Sequence, residues 1–189
     1  MLFRSANSIP NTDSDEGRAR AVDFLNIGMA YTRNESYEEA IKNLKIALQM
    51  FTQEEAGPLW IINVHSELAS AYVGLKSAED ILYHAQIALD WFETEGEFPK
   101  VWCLKYYKAI AYRLKGELDF ALELLEQARE LAKENSNSFN VYAVDIDKEV
   151  GEIWIQQGKV KAGTEMVRRA ESVKKSLERK HPLSRKEVA

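Results

Sequence analysis

Four aromatic residues recur along the chain at nearly constant steps. Tyr31, Tyr72, Tyr112 and Trp154 are spaced 41, 40 and 42 residues apart. Other columns travel with them. Three residues before each aromatic stand Gly28, Ala69, Ala109 and Gly151; nine after stand Ala40, Ile81, Ala121 and Gly163; sixteen after stand Ala47, Ala88, Ala128 and Ala170. A fixed period of this size marks an array of like supersecondary units, none of which can bury its apolar face alone. The small residues have a mechanical role. Two helices approach to about 8 Å only where the side chains at their crossing are small. Gly28, Ala40 and Ala47 are therefore expected as crossing points, with Tyr31 as a wedge towards the next unit.

Each unit reads as two helices about a polar turn: "TRNES", "GLKSA", "RLKGE" and "IQQGK". Gly116 and Gly158 sit where a helix C-terminus favours a left-handed residue. The second helices carry apolar residues at three- and four-residue steps, as in Leu118, Ala121, Leu122, Leu125 and Ala128. Pro58 and Pro99 fall where the first turn of a following helix tolerates proline. The spacing predicts an all-α fold, an α-α superhelix (solenoid) of about four helix-turn-helix repeats. Residues 1–17 are expected to be a flexible N-terminal segment, 18–180 the repeat domain, and 181–189 a short basic tail. The stripe Met166, Val167, Ala170, Val173, Leu177 is narrow, as suits a terminal helix. In the first helix Phe24 and Ile27 fall on the packing pattern. The neighbouring Val22, Leu25 and Met29 are then left for the N-terminal segment, a binding surface or a homodimer contact through this first repeat.

The repeats resemble those of the tetratricopeptide family, whose pattern is best seen in Phe24, Ile27, Gly28, Tyr31, Ala40, Leu44 and Ala47. The third copy matches in its second half but has Lys105 and Lys108 where the first half expects apolar residues. The second and fourth copies carry His65 and Asp147 at the leading aromatic position. A period of 40 to 42 exceeds the usual length of about 34. It is similar to the long repeats of Gram-positive peptide-pheromone receptors, kinesin light chain and mitotic-spindle adaptors. The family's chaperone-binding members clamp a carboxylate with cationic and amide groups. The matching positions here hold Leu25, Met29, Glu67, Cys103 and Tyr107, which lack that charge.

Chemistry is sparse. Cys103 is a lone cysteine without a motif, expected as a half-buried thiol, and a reducing compartment, the cytoplasm, follows from it. His65, His84 and His181 are too scattered for a zinc site and are expected as surface or groove imidazoles. No phosphate loop, metal set or cofactor motif is present, and no nucleophile–base pair suggests an enzyme. A net charge of −5 gives no basic surface for nucleic acid, and no apolar run is long enough for a membrane helix. The basic stretch "KKSLERKHPLSRK" is expected as a solvated helix end. Trp60, Trp91, Trp102 and Trp154 are expected in the core.

In a stacked array the first helix of each pair lines the inner face. The repeat frame places Asn26, Met29 and Arg33 there in the first unit, and Ser66, Glu67 and Ser70 in the second. The third unit supplies Tyr106, Tyr107, Ile110 and Arg113; the fourth supplies Lys148, Glu149 and Glu152. Amides, hydroxyls, both charge signs and paired tyrosines suit an extended peptide or a partner helix. The expectation is a non-catalytic protein- or peptide-binding module. The alternative is a regulatory peptide sensor of the pheromone-receptor type, with its effector domain separate or trimmed.

Overall fold

In a computed structural model that describes residues 12–95, 101–135 and 139–180, the chain is all-α and built of helix-turn-helix repeats. The helices are α1 (Thr12–Arg33), α2 (Tyr37–Gln53), α3 (Pro58–Leu75), α4 (Ala78–Glu95), α5 (Val101–Leu114), α6 (Leu118–Asn135), α7 (Phe139–Gln156) and α8 (Val160–Lys180). The chain divides into two compact units between Leu75 and Lys76. The first contains α1 to α3 and the second α4 to α8. Helix α1 begins at Thr12, ahead of the expected start at residue 18. Pro58 opens α3 as expected. Pro99, the stretch 1–11 and the tail 181–189 lie outside the described residues.

The turns show why the aromatic column keeps its register. The carbonyls of Tyr31, Tyr112 and Trp154 accept the backbone N–H of Ser36, Glu117 and Lys159, at 3.0, 2.9 and 2.9 Å. Inside each of these loops lies a left-handed residue: Glu35 at φ 61°, Gly116 at 82° and Gly158 at 82°. This is the six-to-one closure that satisfies the last carbonyls of a helix. The same loop residue then starts the next helix. The carbonyls of Ser36, Glu117 and Lys159 accept the N–H of Ala40, Ala121 and Gly163, each at 3.0 Å. The aromatic column thus marks the residue whose carbonyl ends the first helix, and the small column nine residues later begins the ladder of the second.

In the first unit α1 packs along α2, and α2 along α3. A Cβ added at Gly28 would lie 2.6 Å from Leu44 Cγ, so the crossing expected there is real. Ala40, Leu44 and Ala47 are fully buried beneath it. The wedge differs from expectation. Tyr31 is 38% exposed. The ring of Tyr37 instead covers Gly74 on α3, at a distance that excludes any Cβ there. Tyr72 is buried, with Lys45 Nζ of α2 over its ring at 5.9 Å. On α1 the buried apolar side chains are Ala21 and Leu25, whereas Ile27 is 43% exposed, so the packed face is rotated from the expected one. Phe51 stacks on Trp60 with centroids 5.2 Å apart, yet Trp60 remains 37% exposed and is not a core residue.

In the second unit α6 carries α5 and α7. Ala109, Ala121, Leu125, Ala128, Ile146 and Ile153 form its buried cluster, with Tyr112 packed against the cluster and edge-on to Phe120 at 4.6 Å. Helix α7 meets α8 at two glycines. A Cβ at Gly163 would fall 2.5 Å from the Gly151 carbonyl oxygen, and one at Gly151 would fall 2.9 Å from that of Gly163. Lys105 and Lys108, the two departures from the apolar pattern, reach outward from α5. Lys105 Nζ donates to Gln127 Oε1 on α6 at 3.1 Å, and Lys108 Nζ to Gln86 Oε1 on α4 at 2.6 Å.

Two stability outcomes follow. Gly163→Ala gains about 1 kcal/mol of helix propensity. It also forces a methyl into a backbone carbonyl that has no rotamer to escape to, and such overpacking costs about 1–3 kcal/mol. We expect a net loss of up to about 2 kcal/mol, read as a lower urea midpoint at unchanged slope; a gain would show that α7 and α8 separate freely. Glu35→Gly relieves a left-handed non-glycine residue and should raise stability by about 0.5–1 kcal/mol. A loss in the same measurement would mean that the Glu35 side chain matters more than its backbone.

Candidate functional site

The expected inner-face residues divide on inspection. In the first unit Asn26 and Arg33 are exposed, while Met29, Glu67 and Ser70 are half-buried. Ser66 is not available: it is buried, and its hydroxyl donates to the Ile62 carbonyl of its own helix at 3.1 Å. In the second unit Ile110 is also buried and belongs to the core. Tyr106, Tyr107, Arg113, Lys148, Glu149 and Glu152 are half-buried. His65 and His84 are buried too, contrary to the surface or groove placement expected of them. Burial holds His65 below its usual pKa, favouring the neutral ring.

The second unit gathers its share into a wall formed by α5 and α7. Arg113 Nε of α5 donates to Glu149 Oε2 of α7 at 2.8 Å, with both side chains largely covered, 15% and 12% exposed. Lys148 turns towards α8, where its Nζ lies 3.9 Å from Glu171 Oε1. One to three turns before the ion pair, Trp102, Cys103, Tyr106, Tyr107, Tyr142 and Asp145 line a cavity of ≈ 220 Å³. The rings of Trp102 and Tyr142 lie 4.1 Å apart at 37°, and those of Tyr106 and Tyr107 lie 5.9 Å apart at 57°. Cys103 is half-buried, as expected for it. A larger opening of ≈ 320 Å³ lies between α7 and α8, around Ala143, Met166 and Val173. It lacks the aromatic surface of the α5–α7 cavity, and the candidate site is the latter.

Trp102, Tyr142 and Asp145 were not among the expected site residues. The signal for them is present in the sequence. Trp102 and Tyr106 are four residues apart on one face of α5; Tyr142, Asp145, Glu149 and Glu152 follow at steps of three and four on one face of α7. The frame counted back from the aromatic column reaches the cavity on α5, at Tyr106 and Tyr107, but stops at Lys148 on α7, three residues after Asp145.

Electrostatics follow burial. Desolvation raises the Tyr106 phenol well above its ordinary range, and the carboxylates of Glu149 and Asp145 raise it further, so the phenol stays neutral and can donate a hydrogen bond. Glu149 is also raised, by burial first, with the Arg113 charge and hydrogen bond acting in the opposite sense. The pair is therefore one whose desolvation outweighs its attraction on the carboxylate side. Among the described residues no group of His, Cys, Asp or Glu could hold a metal ion. No described helix is long and apolar enough to cross a membrane.

Neither a protein-family model nor a curated protein matches the chain. Solved structures do. A Rap protein complexed with competence and sporulation factor superposes with a TM-score of 0.65 at 16% identity, over 82% of this chain and 43% of that one. A TPR-like protein from Chlorobium tepidum TLS gives 0.62 at 19%, over 87% and 98%. Putative kinesin light chain TPR-like repeats from Podosopora anserina give 0.60 at 17%, over 84% and 76%. The chain thus spans less than half of the Rap protein and nearly all of the Chlorobium one. At these identities the likeness establishes the fold, which is that of tetratricopeptide-like repeats.

The Glu149 carboxyl allows a test of the wall's electrostatics. Its folded-state pKa lies above the unfolded value. Its contribution to stability is therefore complete below the unfolded carboxylate range and is lost as pH rises through the raised value. Glu149→Gln lacks that loss. In urea titrations at stepped pH, the variant should gain on the parent chain as pH rises across this window. A difference that does not change with pH would show that Arg113 fully compensates the burial.

Proposed function

We propose that the chain is a non-catalytic interaction module that holds an extended peptide or a partner helix against the wall formed by α5 and α7. The observation that carries this reading is the aromatic cavity beside half-buried polar groups on two parallel positions of successive repeats. A wall of this kind offers large contact area from rigid rings at low entropy cost. It also offers hydrogen-bonding groups at intervals along an extended guest, the phenols of Tyr106 and Tyr107 and the carboxylates of Asp145 and Glu152. Asn26, Met29, Arg33, Glu67 and Ser70 of the first unit are candidate contacts of their own, on α1 and α3. The fit of the fold to a Rap protein complexed with competence and sporulation factor favours a second reading, a sensor whose output follows ligand binding. We place the chain in the cytoplasm, with proteins or peptides as partners and no cofactor.

The test is selection from a displayed peptide library on the full chain, followed by titration of the winners against variants. Tyr107→Ala should weaken binding by about tenfold or more, as expected for an aromatic anchor. Glu126→Ala, on the exposed side of α6, should leave it unchanged. Arg113→Ala is a poor probe, because it strands the covered Glu149 carboxylate and would report on stability. Retained binding in Tyr107→Ala together with loss in Glu126→Ala would overturn the assignment. A ligand-dependent change in scattering radius would favour the sensor over the simple scaffold.

A further inference from the structure

The cavity between α5 and α7 has a chemical preference that can be read from its walls. Among the described residues its lining consists of four aromatic side chains, a thiol and one carboxylate, with no cationic side chain. We propose that it is a subsite for a cationic side chain of the bound peptide, an arginine, whose guanidinium lies against the rings and exchanges onto Asp145. This rests on the peptide-binding reading for the source of the arginine, though not for the chemistry of the pocket.

Three classes of guest can be compared on the same walls. An anion would meet the negative faces of the rings and the Asp145 carboxylate together. A purely apolar group would suit the rings but would strip water from Asp145 and leave it only the Lys174 ammonium as a partner, and a carboxylate so desolvated is costly. A cation satisfies both features. Ring faces attract ammonium and guanidinium groups within about 6 Å, arginine more often than lysine. The planar guanidinium also stacks and can pair with a carboxylate through two N–H donors.

Asp145 is able to change partners. Its Oδ1 accepts a hydrogen bond from Lys174 Nζ on α8 at 2.8 Å, but the two side chains are 35% and 50% exposed. Exposed pairs of this kind contribute little and form and break in water. An arriving guanidinium, partly shielded by the rings, replaces a wet contact with a drier one. The field in the cavity points the same way. Asp145 and Glu149 are the charges that, after burial, hold the Tyr106 phenol in its neutral form. The one cation acting on Tyr106 from its own helix, Arg113, is already engaged by Glu149.

The experiment uses the full chain and two small probes, Nα-acetyl-arginine N-methylamide and its citrulline counterpart, which is neutral and nearly the same shape. The indole signal of Trp102 is assigned by its absence in Trp102→Phe and followed by NMR during titration. We expect a saturable shift with the arginine probe, and binding of the citrulline probe at least about tenfold weaker, the scale of one lost charge–ring and charge–charge contact. Asp145→Asn should weaken the arginine probe several-fold and leave the citrulline probe unchanged, with an unaltered melting temperature confirming the fold. Equal binding of the two probes, or no movement of the Trp102 signal at the solubility limit of the arginine probe, would overturn the proposal. Library-selected peptides keep the two readings apart. Peptides that bind through Tyr107 but tolerate arginine-to-citrulline replacement would leave the interaction module standing and sink the cationic subsite. An arginine-selective cavity in a chain that captures no peptide would do the reverse.

Discussion

Close approach between paired helices is the constraint on which the rest of this structure depends. At the α7–α8 crossing each glycine faces the other's carbonyl, with no room for a Cβ on either side. At the α1–α2 crossing Gly28 takes the Leu44 side chain directly against its backbone. Helices set this close have little freedom in rotation or register, because bulk at the crossing would have to move a backbone. On α6 the same economy is achieved with Ala121 and Ala128, which let α5 and α7 both settle on one helix. That settling is what brings Arg113 within reach of Glu149, and Trp102 against Tyr142, across residues far apart in the chain. The candidate site is thus a by-product of small side chains on a helix that does not itself line it.

What the sequence shows most clearly is what is decided locally. The turns at Gly116 and Gly158 are legible because a left-handed residue after a helix is a backbone requirement that glycine meets at no steric cost. The small columns are legible because their recurrence has a single mechanical meaning. The inner face was less legible. Ser66 is buried one residue before the half-buried Glu67, and Ile110 is buried three residues from both Tyr107 and Arg113; counting from one column does not resolve a rotation of that size. Tyr31 was misplaced for a different reason. Its carbonyl, and not its ring, is what the repeat fixes, so the ring was free to remain exposed while Tyr37 took the gap at Gly74. The aromatic cavity is legible only at Tyr106 and Tyr107; Trp102, Tyr142 and Asp145 lie nearer the starts of α5 and α7, where the repeat columns give no anchor.

The charged residues follow a related division. Lys105 and Lys108 break the apolar pattern of α5, yet their ammonium groups reach glutamines on α6 and α4. They join neighbouring helices by polar contacts where other copies of the repeat would use packing. The residues thought of as recognition groups are partly committed in the same manner: Lys148 leans to Glu171, and Arg113 is held by Glu149.

That commitment is unequal, and the inequality separates the part of the wall that is firmly held from the part that is not. The Arg113–Glu149 pair is covered, and separating it would leave one buried charge alone, a cost of several kcal/mol in typical proteins. The Asp145–Lys174 pair is wet and worth under about 1 kcal/mol. A guest that competes for the first must supply more than it gains; a guest that competes for the second needs only a modest advantage. The aromatic rings stand beside the second pair. The weakly held carboxylate and the surface able to shield a cation therefore coincide, and the firmly held pair one turn further on fixes the helices that present them.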